Sequence, residues 1–188
     1  MARNVLVIGL DGADWSLLNP LMEDGAMPTL KAFVESGVSA TLESIRPTNS
    51  MSAWTSLMTG TNPGKHGIYD FVRKTEQPFK TTVTNSSVIG FPTTWETLTA
   101  AGRSSCVIDM PPLHPPFEIN GAMIGGMGAV TSFDGSYSWP PELASEIEAA
   151  VGESPRFSPP AQLRLRVNGA FPPSRRYPIR SAHHGAWV

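Results

Sequence analysis

Cysteine is nearly absent from this chain. Cys106 stands alone among 188 residues, which excludes an internal disulfide. It lies in the apolar run Ser105-Cys106-Val107-Ile108, with no neighbouring base or helix start to lower its pKa, so it is expected to be a small core residue and not a thiol nucleophile. Long hydrophobic runs are absent as well. No window reaches the roughly 18 to 20 consecutive apolar residues of a membrane-spanning helix. The apolar run at residues 5–10 stops at Asp11, too soon for a secretory leader. These absences predict a soluble, cytoplasmic protein with no membrane partner. Beyond Glu153 there is no Asp, Glu or Lys, only six Arg, whereas all 16 acidic residues lie at or before Glu153 beside eight Lys and Arg. The chain is therefore expected to divide into an acidic body, residues 1–153, and a basic Pro/Arg-rich tail, residues 154–188, poorly ordered by composition. An acidic body repels phosphate esters, so a phosphate-handling site here needs metal cations to supply the positive field.

Nucleotide-binding glycine loops are missing too. The run Gly60-Thr61-Asn62-Pro63-Gly64-Lys65-His66 has only three residues between its glycines, a Pro in place of a cradling amide, and His where a P-loop needs Ser or Thr. Gly125-Gly126-Met127-Gly128 lacks the dinucleotide-binding spacing.

What is present is a globular core composition, 40% hydrophobic, enough for one domain. Residues 5–10 form a continuous Val/Ile/Leu run, the pattern of a strand buried on both faces. Asp14 is the better N-cap candidate for the segment that follows. Residues 28–37 predict an amphipathic helix, with Pro28 near its start, Leu30, Phe33 and Val34 on one face and Gly37 as the stop. Residues 38–45 alternate like a strand, and 81–84 carry a weaker strand signal. Helical spacing returns at 92–102, a second buried strand at 105–110 ends near Asp109, a short strand follows at 119–124, and Leu143, Ile147 and Val151 mark a helix over 140–151. Alternating strands and helices predict an α/β fold, a mainly parallel sheet with helices on both faces.

Two residues carry the chemistry. Asp11 closes the first predicted strand, where ligands collect in open parallel sheets, and a carboxylate suits a divalent ion. An N-cap or turn role is the bland alternative. Ser50 stands at the start of the helix predicted after Pro47, where a metal or base and the helix dipole would activate its hydroxyl. It would equally serve as an N-cap, and Thr48 and Ser52 compete at the same turn. His66 and His114 are expected to be structural. The adjacent His183 and His184 diverge on regular structure and make a poor metal site.

The blocks Val7-Ile8-Gly9-Leu10-Asp11-Gly12, Pro47-Thr48-Asn49-Ser50-Met51-Ser52-Ala53-Trp54-Thr55-Ser56-Leu57-Met58-Thr59-Gly60 and Pro63-Gly64-Lys65-His66-Gly67-Ile68-Tyr69-Asp70-Phe71, with Trp95-Glu96-Thr97-Leu98, Ile108-Asp109-Met110-Pro111-Pro112 and Ile119-Asn120-Gly121 later, resemble the type I phosphodiesterase/nucleotide pyrophosphatase family of the alkaline phosphatase superfamily. The resemblance implies an alkaline-phosphatase-like fold and metal-dependent hydrolysis of small-molecule phosphate esters through a covalent phospho-Ser intermediate. It implies two divalent ions, usually zinc, with Asp11 as a metal ligand and Ser50, three residues after Pro47, as the metal-bridged nucleophile. Eukaryotic members place an Asn three residues after the nucleophile to bind phosphoryl oxygens, where this chain has Ala53. The family's later Asp and His ligands find no counterpart, since no carboxylate follows Glu153. That predicts a truncated product of weak or no activity, with a tail read out of frame. The competing expectation is a non-catalytic α/β fragment or binding module whose basic tail meets an anionic partner. Nucleic acid is not expected as a partner of the enzyme.

Overall fold

A helix cap marks the first regular element, and Asp14 provides it: its backbone is extended and its carboxylate accepts the Ser16 amide at 2.8 Å. The computed structural model describes residues 4–126 and 137–151. Helix α1 (Trp15–Glu23) runs from this cap, and α2 (Pro28–Ser36) begins on a proline that pre-sets the helical φ. The predicted apolar face of α2 is only partly covered: no residue of the helix is fully buried, Leu30 and Val34 are half-buried, and Phe33 is 66% exposed. Helix α3 (Ser50–Thr59) ends at Gly60 in the left-handed conformation, and one turn of helix, α4 (Pro63–His66), follows.

Strands β1 (Val72–Lys74) and β2 (Thr81–Val83) make a small antiparallel pair, the second falling on the weak strand signal. After a 3₁₀ turn at Ser86–Val88 comes α5 (Thr94–Ala100), closed by a capping box in which Thr93 and Glu96 satisfy each other's amides. Strand β3 (Ser105–Met110) pairs in parallel with β4 (Gly121–Gly125), and β5 (Ser138–Trp139) joins β4 antiparallel, with α6 (Glu142–Val151) after it. The fold is α/β. The expected parallel pairing is realised among the described residues by β3 and β4; β1–β2 and β4–β5 are antiparallel.

The core lies on one face of the β3–β4–β5 sheet. Met58 of α3 packs there with Val107, Leu113, Ile119 and Met123, flanked by Ile89, Trp95, Phe117 and Trp139. Side chains alternate along a strand, so Val107 at 3% exposure points into this cluster while Ile108, one residue on, is 66% exposed. Two expectations fall on this alternation. Strand β3 is covered on one face, not two, and Cys106, on the same face as Ile108, is exposed and not a core residue.

Two predicted strands are absent. Residues 5–10 and 38–45 carry no strand assignment, and apart from the half-buried Ile45 their apolar side chains are open, Val5 at 84% and Val38 at 99% exposure. A hydrophobic run becomes a strand only when a neighbour supplies the ladder of N–H and C=O groups; among the described residues, no strand pairs with either segment. The second segment is tied to α1 by the Trp15 indole, which donates to the Ala40 carbonyl at 3.1 Å.

Candidate active site

Asp11 sits where the first apolar segment turns. Gly12 takes φ +67°, a conformation open to glycine at little cost, and the Ala13 amide reaches back to the Leu10 carbonyl at 3.4 Å. The turn brings the Asp11 side chain to the N-terminus of α3.

The cap of α3 is Asn49, not Ser50. Asn49 has an extended backbone, its side-chain oxygen accepts the Ser52 amide at 3.0 Å, and its side-chain amide donates to the Tyr69 carbonyl. Of the competing hydroxyls, Ser52 is fully buried and donates to the Ile68 carbonyl at 3.0 Å, while Thr48 is exposed and lies outside the helix. Ser50, the first helical residue, is spared the capping role. Its hydroxyl donates to Asp11 Oδ2 over 3.5 Å, a long contact. The structure thus brings together the two residues singled out from sequence, 39 positions apart.

A third group joins them. The Trp54 indole donates to the other carboxylate oxygen, Asp11 Oδ1, at 3.1 Å. The sequence reading missed Trp54, although a signal was available: it stands four residues after Ser50, and residues at that spacing share a helix face.

His66 is settled as a structural residue by its hydrogen bonds. Its side chain is fully buried, Nδ1 accepts the Ile68 amide at 3.1 Å, and Nε2 lies 2.9 Å from Ser56 Oγ. A ring that accepts at Nδ1 carries its proton on Nε2, so it donates to Ser56 and cannot serve as that hydroxyl's base. Burial pushes its pKa below the ordinary value. His114 contributes its backbone carbonyl to the Ser86 amide at 2.9 Å. His183 and His184 lie outside the described residues.

Asp11 and Ser50 offer one carboxylate and one hydroxyl, the donor chemistry of a hard or borderline cation. A catalytic zinc centre takes three protein ligands. Among the described residues no group of three or more His, Cys, Asp or Glu side chains is placed to hold a metal ion, so those residues do not complete such a centre. A cleft of about 240 Å³ lined by Ser86, Phe91, Glu96 and Phe117 is separate; neither Asp11 nor Ser50 lines it.

No curated protein and no solved structure matches this chain. The sequence model for type I phosphodiesterase / nucleotide pyrophosphatase matches residues 5–174. That span takes in Asp11, Ser50 and Trp54 and continues past Glu153, and by it the chain belongs to the type I phosphodiesterase / nucleotide pyrophosphatase family.

Proposed function

We propose that this chain hydrolyses small-molecule phosphate esters with Ser50 as the nucleophile and Asp11 as its partner carboxylate. The observation that carries this reading is the Ser50 hydroxyl facing Asp11 Oδ2 at 3.5 Å while Asn49 performs the capping that would otherwise explain a Ser at this place. In the attack, the Ser50 hydroxyl proton passes to Asp11 Oδ2, Ser50 Oγ forms a bond to phosphorus as the bond to the ester oxygen breaks, and the proton is passed on through solvent to the leaving oxygen, which departs as the alcohol. Water then cleaves the phospho-Ser. Asp11 Oδ2 is the acceptor within reach of the hydroxyl and orients it before attack.

The start of α3 supplies the electrostatic part. The first amides of a helix lack intrahelical partners. The Ser52 amide is taken by the Asn49 side chain and the Ala53 amide by the Asn49 carbonyl at 3.0 Å. The Ser50 amide remains for a phosphoryl oxygen, at the positive end of the helix dipole, whereas Met51 is buried. The Ala53 side chain has no polar atom to add, so the backbone carries this contact. The family is typically metal-dependent; among the described residues, Asp11 and Ser50 are the donors that would meet a divalent ion such as zinc at this turn.

The test is hydrolysis of a nitrophenyl phosphate monoester and diester by the purified full chain, with and without added zinc or manganese. Ser50-dependent turnover supports the reading. Equal rates for wild type and Ser50→Ala, or no turnover of either ester, would sink it.

A further inference from the structure

We propose that Trp54 is a positioning residue that clamps the Asp11 carboxylate for Ser50, and that Gly9 is small so that the Trp54 ring can reach it. This rests on the Ser50–Asp11 reading above and adds a residue to it. The two oxygens of Asp11 are divided between two residues of one helix: Oδ1 takes the Trp54 indole N–H at 3.1 Å and Oδ2 takes the Ser50 hydroxyl at 3.5 Å. A carboxylate on an open turn rotates freely about its last bond, and its exposed backbone gives it no other fixed direction. One charge-assisted hydrogen bond to a rigid, two-torsion side chain fixes that rotation and sets which oxygen faces the nucleophile.

The ring itself is seated. A Cβ placed on Gly9 would lie 2.4 Å from Trp54 Cη2 and 2.7 Å from Cζ3, well inside contact distance. The flat indole therefore lies against the backbone of the segment that ends in Asp11, two residues further on. Any side chain at position 9 would lift the ring and pull Nε1 away from Oδ1. The indole is an unconventional choice for a carboxylate clamp, because it donates one hydrogen bond and carries no charge. It can fix Asp11 without neutralising it.

Three single variants, one double variant and an activity-independent readout test the clamp. The chain has five Trp residues, and ¹⁵N-labelled full-length protein gives one indole N–H signal for each; the Trp54 signal is the one lost in Trp54→Phe. Asp11→Ala is expected to move the Trp54 indole signal further than the other four, and Gly9→Ala to move it in the same direction. In hydrolysis, Trp54→Phe is expected to lower kcat about 10- to 100-fold, the weight of a hydrogen bond to a charged group, with KM little changed. Gly9→Ala added to Trp54→Phe should cost no further kcat, since both break one clamp. An indole signal indifferent to Asp11→Ala overturns the clamp, as does a folded Trp54→Phe variant with wild-type kcat. A wild-type chain without Ser50-dependent turnover overturns the hydrolase reading instead, and the indole signal then decides the clamp by itself.

Discussion

Ser56 Oγ and His66 Nε2 lie 2.9 Å apart, the spacing of a nucleophile and its base, yet the proton runs the wrong way. The Ile68 amide occupies Nδ1 at 3.1 Å, which forces the Nε2–H tautomer and makes Ser56 the acceptor. The pair ties α3 to α4 from within the core. Ser56→Ala is therefore expected to leave Ser50-dependent hydrolysis intact while costing about 1–3 kcal/mol of stability, because the buried Nε2–H loses its partner. Parallel activity and denaturant-unfolding measurements check both halves.

The same ring sets a pH dependence. Burial holds the folded-state pKa of His66 below its ordinary 6.5. The unfolded chain then takes up a proton as pH falls through 6.5 while the folded ring stays neutral, so the stabilisation is complete above 6.5 and is lost progressively below it. Melting temperatures from about pH 8 to about pH 5.5 should fall more steeply for wild type than for His66→Gln. Matched slopes would show that other groups govern acid stability.

Asn49 and Ser50 should separate stability from activity. Asn49→Ala is expected to destabilise by about 1 kcal/mol through loss of the cap, with a further loss from its bond to the Tyr69 carbonyl. Ser50→Ala should change stability by no more than about 0.5 kcal/mol, as a substitution of a residue outside the cap and core, while abolishing turnover. A large loss of stability on Ser50→Ala would mean that Ser50 does cap α3.

The one-sided sheet gives a paired prediction. Met123, with no exposure, and Ile108, at 66%, occupy adjacent strands. Met123→Ala should cost about 2–5 kcal/mol, the range for large-to-small core changes. Ile108→Thr should stay within about 0.5 kcal/mol. Chemical denaturation distinguishes them, and a heavy cost at Ile108 would show that its face is covered in solution.

Asp109 holds φ +54° at a register shift in β3, and partial desolvation raises its carboxyl pKa although the residue keeps solvent access. A carboxylate raised in this way stabilises in acid and gives up that stability as pH rises through the folded value. Asn tolerates the left-handed conformation better than most residues and carries no charge. Asp109→Asn is expected to raise the melting temperature at neutral pH, with the gain shrinking as pH approaches 3.8. A variant less stable than wild type at neutral pH would assign the carboxylate a partner that its surroundings do not suggest.

Much of the local order was legible because it depends on near neighbours in the chain. The cap at Asp14, the proline start of α2, the helices over residues 94–100 and 142–151, and strands β3 and β4 follow from propensity, period and punctuation, which act over one or two turns. Family membership was legible for a similar reason: it is written in contiguous blocks, above all residues 47–60. Asp11 and Ser50 were nameable from those blocks, but the capping question between Ser50, Thr48 and Ser52 was not, because a cap depends on where the backbone leaves the extended conformation. The structure placed that change at Asn49.

What tertiary structure alone decided was coverage and direction. The run at 5–10 is more apolar than β3 and residues 38–45 alternate as a strand would, yet a strand needs a partner's hydrogen bonds, and no sequence window contains its partner. Cys106 and Val107 are neighbours of similar character, and only the one-sided packing of Met58, Leu113 and Met123 makes one exposed and the other buried. The Trp54 clamp spans 43 residues and depends on a ring resting against a glycine. The sequence determined which residues bear chemistry, because that is a property of their side chains. The fold determined which atoms meet, because hydrogen bonds and burial are set by distance in space and not along the chain.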